Sequence, residues 1–397
     1  MIIMNKKLLK LKIVLPLIIF LLLSLPQITQ SYWIDEMFSV RDAKTLDELL
    51  IDVHPPIYTL LLRGWIGLFG DTEIATRMLS LIAGGAAIIV ITLISYKAGL
   101  LMSLSPIVHD ASTTTRSYSL LLLFGSIALY YAVKGKKHIY IPTILMSMTH
   151  YYGIFASIGY HAYDIIKNKR RESYYYAAIW IAVVGSWVLY HAYHMDFNRG
   201  GWIREYYGLE FLAGALGSTI PIIGLAWIIL LYKIPMMELI IIGSSLLPPM
   251  IISLIRPQLQ AHYTIAVVPI AMLLITKKAK GLWFALVLVL ALIMIPISPP
   301  TFMSQDYKSA AETILEYDNP MIISIVVDQS HYFGNTRVCH HPECIRWAIK
   351  EEYDSIWLLN GAFIDIEPYI EPLLESHEEE ILWFDSLEVR KYALIQK

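Results

Sequence analysis

SYWIDEMFSVRDAKTLDELLIDVHPPIYTLLLRGWIGLFGDTE, residues 31–73, is the polar interruption on which the reading of this 397-residue chain turns. It lies between two apolar runs, residues 8–26 and 76–96, each near the roughly 20 residues a helix needs to cross a bilayer. Within it the acidic pair Asp35-Glu36 follows closely on the first run. Further on, Asp52-Val53-His54-Pro55-Pro56-Ile57-Tyr58 reads as a rigid turn, because the prolines fix φ and push the residue before them away from helix. An amphipathic stretch then runs to Gly70, and Glu73 and Arg77 open the next apolar run.

Working outward, the composition is that of a membrane protein. Hydrophobic residues make up 56% and charged residues 16%, where soluble domains carry about 45–50% and about 25%. Mean hydropathy is +0.55. A net charge of −2 gives no footprint for nucleic acid. The basic residues flank apolar runs instead, and clusters at Lys6 to Lys12, Lys97, Lys134 to Lys137, Lys167 to Arg171, Lys233 and Lys277 to Lys280 mark successive cytoplasmic turns. The first run follows Lys6 and Lys7 but no small-x-small cleavage motif follows it, so it reads as an uncleaved helix.

These marks predict an all-α transmembrane bundle of about eleven helices, N-terminus inside and C-terminus outside: residues 8–26, 76–96, 99–109, 116–133, 139–149, 151–166, 173–193, 209–231, 236–255, 261–276 and 282–297. Several of these runs are short and contain or adjoin Pro, and those over 99–109 and 139–149 predict broken or tilted helices. After Pro299-Pro300 the pattern changes to a small external α/β domain, with helices over 306–317 and 366–377 and strands over 321–327 and 355–359. The domains are thus 1–299 and 300–397, and the localisation is the cell membrane with the long first loop outside.

Trp33-Ile34-Asp35-Glu36 and His54-Pro55-Pro56-Ile57-Tyr58 in one external loop resemble the polytopic glycosyltransferases of the C superfamily, relatives of protein mannosyltransferases and of the lipid A aminoarabinose transferase. Residues 60–70, with Trp65, Phe69 and Gly70, are similar to that family's interfacial helix, and Glu73 to Arg77 to its entry into the second span. Ser105-Pro106 and Arg116-Ser117-Tyr118 are similar to its Ser-Pro and Arg-x-Tyr segment. Many relatives place Glu two residues before that Arg; here Thr114 stands there and Asp110 is the nearest acid. Ala261-His262-Tyr263 with Pro269 is similar to its late Arg-Tyr-plus-proline motif, with His262 in the place of Arg.

The resemblance implies a polyprenyl-phosphate sugar as donor and a protein, lipid or lipid-linked glycan hydroxyl as acceptor. Such transfer asks for a base, for which Asp35 is the candidate. Glu36 would assist it or hold a divalent cation, Mg or Mn. The departing phosphate asks for cations, and His54, Arg77, Arg116, His262 and Arg256 are the candidates. Tyr58, Asp110, Tyr118, Tyr263 and Trp202 are secondary candidates for substrate contact. His150, His161, His191 and His194 neighbour tyrosines near span ends and read as interfacial.

Cys339-His340-His341-Pro342-Glu343-Cys344 reads as a local disulfide on the external side, with zinc as the alternative. Two other functions compete with sugar transfer from a single-sugar donor. A lipid-linked oligosaccharide transferase would also use external acids. A polyprenyl-lipid transporter would instead show paired broken helices in two halves and mid-membrane charges.

Overall fold

The computed structural model describes residues 6–45, 54–194, 234–255, 261–278, 306–317, 320–324, 338–339, 355–360, 377–384 and 387–394, with residues 281, 284–285, 288–289, 292 and 332. Two compact units result: residues 1–28 with 42–301, and residues 29–41 with 302–397. The sequence pattern places one cut at 299/300 and makes no provision for residues 29–41, which group with the C-terminal part of the chain.

The first unit is helical. Its elements are α1 (Lys6–Ser24), the C-terminal end of α2 (Ile34–Lys44), α3 (Pro56–Phe69), α4 (Glu73–Ile94), α5 (Tyr96–Met102), α6 (Pro106–Ser112), α7 (Tyr118–Lys134), α8 (Tyr140–Ser147), α9 (Tyr152–Asn168), α10 (Arg171–His194), α11 (Met236–Ile255) and α12 (Val268–Lys278). Local chemistry sets the ends. Thr72 caps α4 by accepting the Ala75 N–H at 3.3 Å, and Glu73 places an acid in the first turn, where the helix dipole favours it. Gly135, at φ +59°, closes α7 in the left-handed conformation that glycine adopts without strain.

Several expected spans are not single long helices. Residues 99–109 fall into α5 and α6, seven residues each, because Pro106 cannot continue a helix but suits the start of the next. Seven residues rise only about 10 Å, a third of a hydrocarbon core about 30 Å thick. Over 139–149 the helix is α8, eight residues. Residues Ala261–Val267 form a 3₁₀ turn before α12 begins. Among the described residues two helices, Glu73–Ile94 and Arg171–His194, are long and apolar enough to cross a membrane by length and composition. The span over 209–231, and most of that over 282–297, lie outside the described residues.

Close packing fixes neighbouring helices. A methyl group on Gly159 of α9 would meet the Ile241 Cα of α11 at 2.8 Å and the Ser244 Oγ at 2.1 Å. Small residues that let backbones approach are how apolar helices associate where water does not drive them together. Gly159→Ala must push α11 away, and overpacking of this kind costs about 1–3 kcal/mol. The expected result is a lower thermal midpoint in detergent by tryptophan fluorescence; an unchanged midpoint would show that the contact relaxes freely.

The second unit holds α13 (Tyr307–Ile314) and a five-stranded sheet of β1 (Met321–Ser324), β2 (Val338–Cys339), β3 (Ser355–Asn360), β4 (His377–Phe384) and β5 (Leu387–Leu394), in the order β2-β1-β3-β5-β4. β1 runs parallel to β2 and β3, while β5 runs antiparallel to β3 and β4. Ile322, Ile323, Trp357, Leu358, Val389 and Tyr392 form its core. Asp306 caps α13 through the Ser309 N–H at 3.1 Å.

The acidic helix expected over 366–377 lies outside the described residues save His377, which opens β4 instead. The β4–β5 hairpin has no counterpart among the elements expected from the sequence. In the hairpin Glu379 and Glu380 find cross-strand partners: Glu380 meets Lys391 at 3.3 Å, and Glu379 meets Arg390 at 3.2 Å while accepting the Tyr392 hydroxyl at 2.7 Å.

Candidate functional site

The acidic pair sits at the start of α2, and the two carboxylates have different surroundings. Glu36 is fully buried, and its Oε2 accepts the Trp33 N–H at 3.2 Å. This is the back-reaching half of a capping box, an acid on the third helical residue satisfying the N–H at the cap. Asp35 is half-buried in the same turn, and its backbone carbonyl accepts the Ser39 hydroxyl at 3.0 Å.

The segment leading into this turn is held by Tyr332, whose hydroxyl accepts the Tyr32 N–H at 2.7 Å. Ser31 donates to the same oxygen at 3.3 Å and accepts the Lys308 N–H at 3.2 Å. Tyr332 carries no signal in the sequence: a lone tyrosine three hundred residues from its partner has no motif. Its role exists only once the chain folds.

In the first unit a second cluster forms from segments far apart in sequence. Ile57 N–H donates to the Met148 carbonyl at 3.1 Å, which pins the His54-Pro55-Pro56 turn to the α8–α9 turn. Residue 116 is set by a tight turn, Arg116 N–H to Thr114 carbonyl at 2.9 Å, itself tied to α4 through the hydroxyls of Thr115 and Thr76 at 2.8 Å. The 3₁₀ turn Ala261–Val267 brings His262 and Tyr263.

The rings then meet. His150 lies 5.7 Å from His54, 5.8 Å from Tyr118, 5.6 Å from Tyr152 and 5.0 Å from Tyr263, centroid to centroid. Tyr118 lies 4.6 Å from His262, and the Arg116 guanidinium carbon is 5.7 Å from the centre of the Tyr118 ring. Arg116, Tyr118, His150, His262 and Tyr263 are buried.

Electrostatically the cluster gathers positive charge or the capacity for it. His150 occupies the turn between α8 and α9. Its Nδ1 accepts the Tyr152 N–H at 3.2 Å, which leaves the proton of the neutral ring on Nε2. Burial first, then the charges of His54, Arg116 and His262, hold it well below the ordinary imidazole value. An arrangement of one guanidinium and three imidazoles among tyrosine rings is suited to an anion.

The remaining candidates make contacts of their own. Arg77 is buried and donates to the Ile28 carbonyl at 3.2 Å, so it braces the end of the Leu25–Gln27 3₁₀ turn. Tyr58 packs in the apolar cluster of Ala43, Leu62, Ala83 and Leu120. Asp110 lies on α6, where its backbone carbonyl accepts the Thr114 hydroxyl at 2.9 Å. Arg256, Trp202 and Cys344 lie outside the described residues, while Cys339 ends β2. His150, which the sequence reads as interfacial, is the centre of the cluster, whereas His161 bonds the Thr143 hydroxyl at 2.9 Å and His191 the Tyr151 hydroxyl.

The sequence reading allows a divalent cation at Glu36. Among the described residues no three His, Cys, Asp or Glu side chains are grouped so as to hold a metal ion, and one Glu36 oxygen already serves the Trp33 N–H.

Taken together, the two units define a class of fold, a bundle of apolar helices, several of them short or broken, and a small α/β unit carrying a five-stranded sheet. The crystal structure of ArnT from Cupriavidus metallidurans in the apo state is similar to this chain, with a TM-score of 0.60 over 95% of this chain and 97% of that chain, at 11% sequence identity. Identity that low makes the likeness one of fold. No family model and no curated protein matches the sequence.

Proposed function

We propose that this chain is an integral-membrane glycosyltransferase of the C superfamily, working on the external face with a polyprenyl-phosphate sugar as donor. The observation that carries the reading is the buried Arg116 among His54, His150 and His262, on a fold similar to that of ArnT. An anion-binding cluster rimmed by aromatic rings suits a phosphate that joins a sugar to a lipid.

In the proposed reaction an acceptor hydroxyl attacks the anomeric carbon of the sugar from the face opposite the phosphate. The carbon–oxygen bond to phosphate breaks, its electron pair stays on the phosphate, and the acceptor proton passes to Asp35. A single displacement inverts the anomeric centre. The phosphate changes from a monoanionic diester to a dianionic monoester, and Arg116 with the histidines offsets the added charge. Glu36 holds the turn that presents Asp35.

The test is turnover of a panel of radiolabelled polyprenyl-phosphate sugars by the purified protein in detergent with lipid acceptors. Release of sugar from one donor, dependent on protein and acceptor, is the expected result. No release from any donor by folded protein would move the reading to an oligosaccharide donor or to transport of the lipid itself.

A further inference from the structure

We propose that the turn between α7 and α8 and the turn between α9 and α10 together form a binding site for an anionic glycerophospholipid of the inner leaflet. The inference concerns this end of the bundle alone and does not depend on the sugar-transfer reading.

Charge and ring geometry meet here. Residues 134–176 contain seven Lys and Arg against two acids, Asp164 and Glu172, and all seven cations fall within 134–137 or 167–171. Asp164 is buried and is shared by the Asn168 side-chain amide and by Arg170, whose guanidinium stands 3.8 Å away. That contact steadies Arg170 at the rim, while the lysines of both turns and Arg171 are exposed.

Rings bring the two turns alongside each other. Tyr140 stacks on Tyr176 with centroids 4.9 Å apart, and His138 lies 5.5 Å from Tyr176. His138, at φ +63°, and Lys169, at φ +49°, are the two non-glycine residues with a left-handed backbone among the described residues. Such a backbone persists only where the surroundings over-determine it, and one instance falls in each turn. The tendency of basic residues to stay on the inner side accounts for the charge. It does not account for the ring stack or for the two left-handed residues.

An amphiphile is the occupant this surface fits. Ile141 and Ile166 are exposed beside the cations, so apolar side chains for acyl chains adjoin a basic rim for a headgroup phosphate. A steadied guanidinium offers phosphate a planar fork, and the lysines add point charges on flexible stems. A soluble anion gains nothing from the apolar flank. The α9 helix, 17 residues and about 25 Å long, separates this end from the Met148 carbonyl that holds Ile57, so the site is distinct from the cluster around His150.

The full-length protein, delipidated in a neutral detergent, is titrated with phosphatidylglycerol, phosphatidylcholine and glycerol phosphate, and binding is read by native mass spectrometry. Phosphatidylglycerol should bind about 10- to 100-fold more tightly than phosphatidylcholine. The preference should shrink as salt rises from about 0.1 M to about 1 M, and glycerol phosphate should bind far more weakly than the lipid. The variant Lys136→Gln, Lys137→Gln, Lys169→Gln, Arg171→Gln should bring the two lipids within about threefold of each other. All four side chains are exposed, a setting in which substitutions cost little stability. If that variant does not fold, Lys136→Gln with Lys169→Gln is read in its place, and the preference should fall at least about threefold.

Equal binding of the two lipids by the wild type, or a preference that the folded variant keeps, overturns the proposal. Glycerol phosphate binding as tightly as phosphatidylglycerol overturns the lipid and assigns the turns to a soluble anion. Turnover of polyprenyl-phosphate sugars is a separate readout, so either reading can fail without the other.

Discussion

Asp35→Asn should lower the rate constant for sugar transfer by about 10²–10⁴-fold, the range expected when a general base is removed, with donor affinity little changed. Asparagine keeps the size of the side chain and its place in the first turn of α2, so the capping bond from Trp33 to Glu36 and the anchoring by Tyr332 remain. Tritium- or carbon-labelled donor, single-turnover kinetics and a thermal-shift control make the comparison. Full activity with intact folding would remove Asp35 from the mechanism. Glu36→Gln is the informative partner: its carboxamide oxygen can still accept the Trp33 N–H, so activity and stability both close to wild type are expected if Glu36 serves the cap and not the chemistry.

Arg116→Gln carries the second large effect. A hydrogen bond to a charged group is worth about 1.5–3 kcal/mol, so kcat/KM should fall roughly 10- to 150-fold for each hydrogen bond to phosphate that the substitution removes. The fall should exceed that of Arg77→Gln, whose guanidinium braces the Ile28 carbonyl and whose removal should lower thermal stability. Arg116→Lys should recover only part of the activity, since an ammonium supplies charge without the planar fork. Equal activity of Arg116→Gln and wild type, both folded, would place the phosphate elsewhere.

What the residues disclose and what they hide divides along a physical line. The Asp35-Glu36 turn, the His54-Pro55-Pro56 turn, Arg116 and His262 are legible because each is a local pattern: an acid at a helix start, a proline-fixed bend, an arginine at the mouth of an apolar run. His150 is not, because a histidine beside tyrosines at a helix end looks the same whether it faces lipid headgroups or the centre of a cluster. Its meaning depends on three segments arriving from residues 54, 116 and 262. Tyr58 sits within a motif, which invites a contact role, while its packing with Leu62, Ala83 and Leu120 shows only in the fold.

The eleven-span count is a reading of apolar length; the broken run over 99–109 is legible from its shortness and Pro106, but not that α5 starts at Tyr96 and α6 reaches Ser112. In the C-terminal unit, β1 and β3 are legible as short runs of apolar and aromatic residues. The β4–β5 hairpin is hidden because three consecutive glutamates, Glu378 to Glu380, break the apolar pattern of its first strand.

Residues 31 and 32, just ahead of Asp35, are tied to Tyr332 and Lys308. The two stretches of chain are therefore not interchangeable modules. A chimera spliced at residue 301 would keep every helix of the first unit yet carry its acids on a segment whose docking partners come from a foreign domain. Such a chimera is expected to present Asp35 properly only where Tyr332 and its receiving backbone are exchanged together.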